Sequence, residues 1–195
     1  MTYYAQVINN EIKRINVTLP TVIGNTSIGL NGSHPELFPI TGSAPAYDSA
    51  TQRLSGPTYS FTGTEVQRVY TVDDIPLADL KAVLIDRINT QRDTLETQGF
   101  DYSGKRFQSD ERSAARIANA ALTAQTVGAT FTVDWAAEDN TTLTLDAAGM
   151  LGMQAALTQR AATLHYYGRT LKAQVDASTT ASELAAIDVT AGWPA

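Results

Sequence analysis

The residues that could do chemistry are few. The 195-residue chain carries two histidines, 20 Asp and Glu residues and no cysteine. His34 sits in His34-Pro35-Glu36, within a stretch rich in Gly and Pro. A metal or nucleophile site there needs a second His or a Cys, and the other histidine is His165, beside Tyr166 and Tyr167. Helical neighbours point about 100° apart, so His165, Tyr166 and Tyr167 do not converge on one atom. Carboxylates offer more, because two acids flanking a sugar bond suffice for glycoside hydrolysis. The close groups are Asp73/Asp74 and Asp134/Glu138/Asp139. Both fall where helix capping and turn formation account for acids equally well. Asp139-Asn140 could offer oxygens to calcium, but the EF-hand spacing is missing. There is no Gly-x-Ser-x-Gly elbow to present a serine. Phosphate- and dinucleotide-binding glycine motifs are missing too, as is the His-Glu-x-x-His zinc signature. The residues predict no catalytic, cofactor or metal site, and no enzyme.

Composition narrows the class further. Hydrophobic residues make up 43% and charged residues 17%, with a net charge of −6. That is a folding composition, and the length allows one medium domain or two small ones. The 14 Lys and Arg residues form no run longer than two. Phosphate neutralisation needs a basic face, so nucleic-acid binding is not expected. The N-terminal Met1-Thr2-Tyr3-Tyr4-Ala5-Gln6 lacks the basic and apolar regions of a signal peptide. The longest nearly apolar stretch, 147–157, is far short of the ~20 residues that span a bilayer. The expectation is a protein made in the cytoplasm with no membrane insertion.

The elements that must position these residues change character near residue 74. Residues 1–73 read as a β-rich docking module and residues 74–195 as a helical module, giving an α+β fold. In the first module, Tyr4-Ala5-Gln6-Val7-Ile8 is a strand, Asn9-Asn10 a turn and Lys13 to Val17 its return. Gly24 to Gly42 reads as loop. Thr58 to Thr62 and Glu65 to Val72 form an antiparallel pair about Gly63, with Tyr59/Phe61 and Val66/Arg68/Tyr70 each sharing a face. Asp73 or Asp74 then caps a helix, with Pro76 in its first turn. Leu77, Leu80, Leu84, Ile88, Gln91 and Leu95 form its seam, and Gly99 stops it.

Phe100 to Phe107 forms a ribbon about Ser103-Gly104, and Asp110 caps a second helix ending near Gly128. A hairpin spans 130–145, with Phe131, Val133 and Trp135 on one face and Leu143 and Leu145 on one face. Asp146 caps a long helix, 146–176. Its seam is Met150, Met153, Leu157, Ala161, Leu164, Gly168, Leu171 and Val175. Gly168 in mid-helix costs ~1 kcal/mol relative to Ala, which close approach of a neighbour would explain. Thr180 and Glu183 form a capping box before a short helix, 181–187.

From Gly99 onward the parts follow a particular order. Gly-Phe-x-Tyr-x-Gly-Lys-x-Phe spans Gly99 to Phe107, and an Ala-rich helix follows a Ser/Asp pair over Ser109 to Ala124. An aromatic strand ends in Trp135, and a Thr/Leu strand runs into the Asp146 cap. The long helix and a Thr-x-x-Glu-Leu ending, Thr180 to Leu184, close the set. This order, roughly residues 99–190, resembles an uncharacterised domain family that recurs near the C-termini of tail-fibre and tail-assembly proteins of tailed bacteriophages. The resemblance implies a phage-tail context and transfers no catalytic residue. With no enzyme signature in the chain, the expectation is a structural component of the tail, in fibre or baseplate, and tail symmetry suggests a homo- or hetero-oligomer with other tail proteins. It allows equally an assembly chaperone absent from the finished virion. A third reading is a glycan-binding or glycan-cleaving adhesin, with a groove near Trp135 and Tyr166-Tyr167. Glycan-cleaving tailspikes are usually built on large repeated β scaffolds, and this chain has no internal repeat.

The two helical seams leave two possibilities open. They pack on each other and on the hairpin, or part of one turns to a second copy or another tail protein. Under the second, the assembly surface comprises Leu84, Ile88, Leu95, Leu164, Tyr166, Tyr167 and Leu171.

Overall fold

The computed structural model describes residues 3–17 and 37–194. It is an α+β fold whose chain divides into two compact units, Met1–Ile75 and Pro76–Ala195. His34 and most of the Gly24–Gly42 stretch lie outside the described residues.

In the first unit, β1 (Tyr4–Ile8) and β2 (Glu11–Val17) are antiparallel. Asn9 and Asn10 join them with φ of 53° and 63°. Two successive positive φ values define the hairpin turn whose twist matches the strands, and Asn tolerates that region. Alternation places Ala5 and Val7 on the buried face of β1. Strands β3 (Leu37–Thr41), β4 (Gln52–Phe61) and β5 (Val66–Asp74) complete a sheet of order β2-β1-β3-β5-β4.

Strand β3 corrects the loop reading of Gly24 to Gly42 over Leu37 to Thr41. It lies inside the sheet, antiparallel to β1 and parallel to β5, although it contains Pro39. The Ile40 N–H donates to the Tyr3 carbonyl at 3.0 Å, so Pro39 opposite Tyr4 takes a position with no bond to β1. Strand β5 pairs only with Ile40 and Thr41. The missing proline N–H therefore interrupts neither ladder.

Strands β4 and β5 are antiparallel from Gln52↔Asp74 to Phe61↔Val66, with a bulge between Ser55 and Thr58. Pro57 falls in that bulge on an edge strand, where it is tolerated. Val66 is fully buried, and Phe38 and Phe61 meet edge to face at 4.6 Å beside it.

Asp73 and Asp74 cap no helix. They end β5 opposite Arg53 and Gln52, and Asp74 Oδ1 accepts from Gln52 Nε2 at 3.0 Å. The Ile75 N–H still donates to Thr51 O, which keeps the chain extended past both acids. Helix α1 (Leu77–Thr97) starts after Pro76 with no side-chain cap.

The second unit follows with β6 (Phe100–Tyr102) and β7 (Lys105–Phe107), turned at Ser103 and Gly104 with φ of 48° and 77°. Helix α2 (Glu111–Val127) is capped by Asp110, which accepts from the N–H groups of Arg112 and Ser113. Strands β8 (Thr132–Ala136) and β9 (Thr142–Asp146) pair in register. Helix α3 (Ala147–Ala177) begins at Asp146, whose Oδ1 accepts from Gly149 N at 2.7 Å. Helix α4 (Ala181–Ala185) opens with the Thr180/Glu183 capping box and ends two residues before the expected Ile187.

Two cores share α3. One gathers Phe100, Phe107, Ile117, Phe131, Leu145, Met150 and Met153 between the ribbon, α2, the hairpin and the first half of α3. The other gathers Ile88, Leu171, Val175, Leu184 and Val189 between α1, the second half of α3 and the C-terminal segment. Burying a Leu- or Phe-sized side chain contributes about 1.5–3 kcal/mol. A 31-residue helix with an apolar stripe needs cover along its whole length, and this unit supplies it.

The seams are therefore intramolecular where they are most apolar. Ile88 and Leu164 are fully buried, and Leu171 is nearly so. These three form no surface, contrary to the assembly reading. Leu84, Leu95 and Tyr167 are half-buried, and Leu84 and Tyr167 pack on the second core. Of the seven residues, Tyr166 alone is exposed, at 65%.

Glycines set two close approaches. A Cβ on Gly152 would lie 2.5 Å from the Tyr102 hydroxyl, which donates to Gly149 O at 2.9 Å. The bare backbone at Gly152 lets the ribbon clamp onto α3. At Gly168 a Cβ would meet Trp193 at 3.4 Å and Ile88 at 3.7 Å, ordinary contact distances. Neighbours do approach Gly168, but of these two helical glycines it is Gly152 whose Cβ would clash.

Candidate functional site

The carboxylates singled out from the sequence do not assemble into a pair. Asp134 accepts from the Thr144 hydroxyl across the hairpin at 2.6 Å. Asp139 accepts from the Thr141 hydroxyl at 2.6 Å and from its N–H at 3.0 Å. The hydroxyl first, then the N–H, hold the Asp139 carboxyl below the usual carboxylate range. Glu138 lies 3.4 Å from Arg106 Nε. Each acid stabilises a turn, a strand pair or a guanidinium. Among the described residues, no group of three or more potential ligands could hold a metal ion. His165 Nε2 lies 2.9 Å from Glu96 Oε1, an ion pair between α3 and α1 when the imidazole is protonated. Tyr167 turns from His165 and donates to Ala191 O at 3.0 Å. Its ring meets Trp193 at 5.0 Å.

The structure instead brings together residues that spacing did not suggest. A cleft of about 410 Å³ opens between the end of α1, the β6–β7 ribbon, α3 and the C-terminal segment. Leu95, Phe100, Ala156, Trp193 and Pro194 supply apolar lining, and Gln98, Asp101, Arg106 and Arg160 supply polar lining. This volume falls within the range of small-molecule pockets.

The two arginines differ. Arg106 has three partners: Nη2 donates to Gln98 O at 2.5 Å, Nη1 to Asp101 Oδ1 at 3.3 Å, and Nε faces Glu138. The ribbon fixes it, because Arg106 pairs with Asp101 across the ladder. Gly99 leaves room for this network. Its φ is 90°, and a Cβ there would meet Phe107 O at 2.8 Å and Glu138 Oε1 at 2.9 Å. Arg160 is half-buried on α3 and makes no hydrogen bond or ion pair among the described residues. Burial pushes its guanidinium below the ordinary value, and Arg106 adds to that push while Asp101 and Glu96 oppose it.

One sequence signal bears on Arg160. It lies three residues after Leu157 and four before Leu164, on the margin of the α3 seam. A long cationic side chain at such a margin lays its stem along the apolar stripe and keeps its charged head in reach of water. Its companions Arg106 and Trp193 come from distant parts of the chain, so no local pattern reveals them.

The architecture is that of a two-unit α+β protein with a helical second unit. Residues 79–191 match the model of a family described as a domain of unknown function (DUF4376). The match covers more than half of the chain, and the chain belongs to that family. No curated protein and no solved structure gives a significant match.

Proposed function

We propose that this chain is a structural component of a bacteriophage tail, in the fibre or baseplate, and acts by protein–protein assembly. The observation that carries the reading is the ordered set of motifs from Gly99 to Leu184, which resembles tail-fibre and tail-assembly domains. The residues of that set act as structural devices. Tyr102 ties the ribbon to α3, Asp110 and Asp146 cap helices, and Trp135 packs on the first core. Val83, Leu122 and Tyr166 are exposed on three helices of the second unit, and Ile8, Ile15 and Val69 on strands of the first. These side chains offer apolar surface to other tail proteins, in a homo- or hetero-oligomer. The protein is then made in the host cytoplasm and resides in the virion tail.

The test is peptide mass spectrometry of purified particles of the encoding phage, quantified against the major capsid protein. A fixed low copy number per particle is the expected result. Absence from particles, with the chain abundant in infected cells, would overturn the structural role in favour of an assembly chaperone.

A further inference from the structure

A guanidinium in water satisfies five N–H donors. Arg160 has left bulk water in part, yet it lies beside a cleft without a protein acceptor among the described residues. Its nitrogens are not sealed from solvent, so an unpaired guanidinium fork stands open to whatever occupies the cleft. Arg106 is the poorer anchor, since Asp101, Gln98 O and Glu138 already hold three of its nitrogens. Two of those acceptors, Asp101 and Glu138, carry a negative charge against the single positive charge of Arg106. One more guanidinium in the cleft leaves no large surplus of positive charge, and a dianion such as phosphate would face Asp101. A monoanion whose two oxygens match the guanidinium fork suits the site better.

The remaining lining describes the body that bears this anion. Phe100, Trp193 and Ala156 offer apolar contact, while Gln98 and Asp101 offer hydrogen-bonding groups at the rim. The Trp193 indole is held in place, since its Nε1–H donates to Val189 O at 2.9 Å and its ring meets Tyr167. A fixed aromatic wall beside a charged anchor selects a compact ring with one acidic group.

We propose that the cleft between the β6–β7 ribbon, α3 and the C-terminal segment binds a small monocarboxylate carried on a ring, with Arg160 as its anchor. The site is independent of the tail assignment and stands or falls on its own test. Asp101 and Gln98 favour a hydroxylated ring, and the aromatic wall accepts an apolar one. The shared feature is the carboxylate.

The experiment titrates the full chain with glucuronate and with benzoate, following the indole N–H resonance of Trp193 by NMR. Trp193→Phe assigns that resonance against the one from Trp135. Glucose and benzyl alcohol serve as uncharged counterparts, and inorganic phosphate as the dianion. The expected result is a saturable shift with at least one carboxylate in the millimolar range or tighter, about 10-fold weaker for its uncharged counterpart. Arg160→Gln should weaken that carboxylate at least about 10-fold, and Arg160→Lys by less, because Lys keeps the charge and loses the fork. Whichever ring binds identifies the ligand body. No saturable shift with either carboxylate up to about 10 mM overturns the proposal. So does equal binding of the uncharged counterparts, tighter binding of phosphate, or an Arg160→Gln variant that binds as the parent does. The charged-against-uncharged comparison needs no variant, so the proposal remains testable if a substitution impairs folding.

Discussion

Around Ala5, Val7 and Val66 the first unit packs Phe38, Ile40, Tyr59 and Phe61, all of them only partly buried. The second unit closes two cores over Phe100, Phe107, Ile88, Met150, Met153 and Val175, none more than 1% exposed. The first unit depends on pairing between strands remote in sequence, such as β3 with β1 and β5. The second depends on helices whose hydrogen bonds are local and whose stripes meet along α3. Among the described residues of this sheet only Ala5 and Val66 are fully buried, so its ladders and edge contacts carry much of its cohesion. A helical unit with two closed cores is held by packing, and one lost side chain leaves a cavity in it.

That contrast predicts its own breaking points. Phe107→Ala removes a fully buried ring and should destabilise the second unit by about 3–5 kcal/mol. Val66→Ala in the first unit should cost about 2 kcal/mol. Both Trp residues, Trp135 and Trp193, lie in the second unit, so Trp fluorescence in a denaturant titration reads that unit. The Phe107 variant should move the fluorescence midpoint more than the Val66 variant does. Equal shifts in both would contradict the contrast.

Gly152→Ala tests the clamp between ribbon and helix. The added methyl collides with the Tyr102 hydroxyl and should cost about 1–3 kcal/mol despite better helix propensity. Gly168→Ala is the control, since its Cβ fits at contact distance. Thermal denaturation should lower the midpoint for the first variant and leave the second unchanged or raised.

Acid gives the smallest effect and the finest comparison. Hydrogen bonds hold Asp110, Asp139, Glu183 and Asp188 in the second unit below their ordinary pKa, and Asp48 in the first. A depressed carboxyl pKa stabilises the fold above the unfolded value, near 4, and this contribution fades as pH falls through the folded value. The second unit should therefore lose more stability below about pH 4 than the first, by Trp fluorescence against Tyr-sensitive circular dichroism. Solvent screens these surface groups, so the loss is modest.

Much of the second unit was legible in the sequence because its rules are local. Asp110 and Asp146 cap as their positions imply, and Thr180 with Glu183 closes the box. Each residue of the α3 seam is buried or half-buried, as its spacing requires. The first unit was less legible. Strand β3 hides behind Pro39, whose tolerance depends on where two neighbouring ladders place their bonds. The Asp73-Asp74-Ile75-Pro76 run carries a helix-start signature, but the pairing of β5 with β4 overrides it.

By itself, then, the sequence determined the α+β class, the hairpin, the ribbon and the helix starts at Asp110, Asp146 and Thr180. Side-chain caps, periodicity and turn residues act over a few positions, and those positions are adjacent in the chain. The tertiary structure alone decided that Ile88, Leu164 and Leu171 face inward, because a 3- and 4-spaced stripe is the same whether its cover is internal or a partner. It alone placed Arg160 and Arg106 in one cleft with Trp193. A site built from a ribbon, a helix and a terminal segment has no spacing to read, since its geometry exists only once the cores have closed.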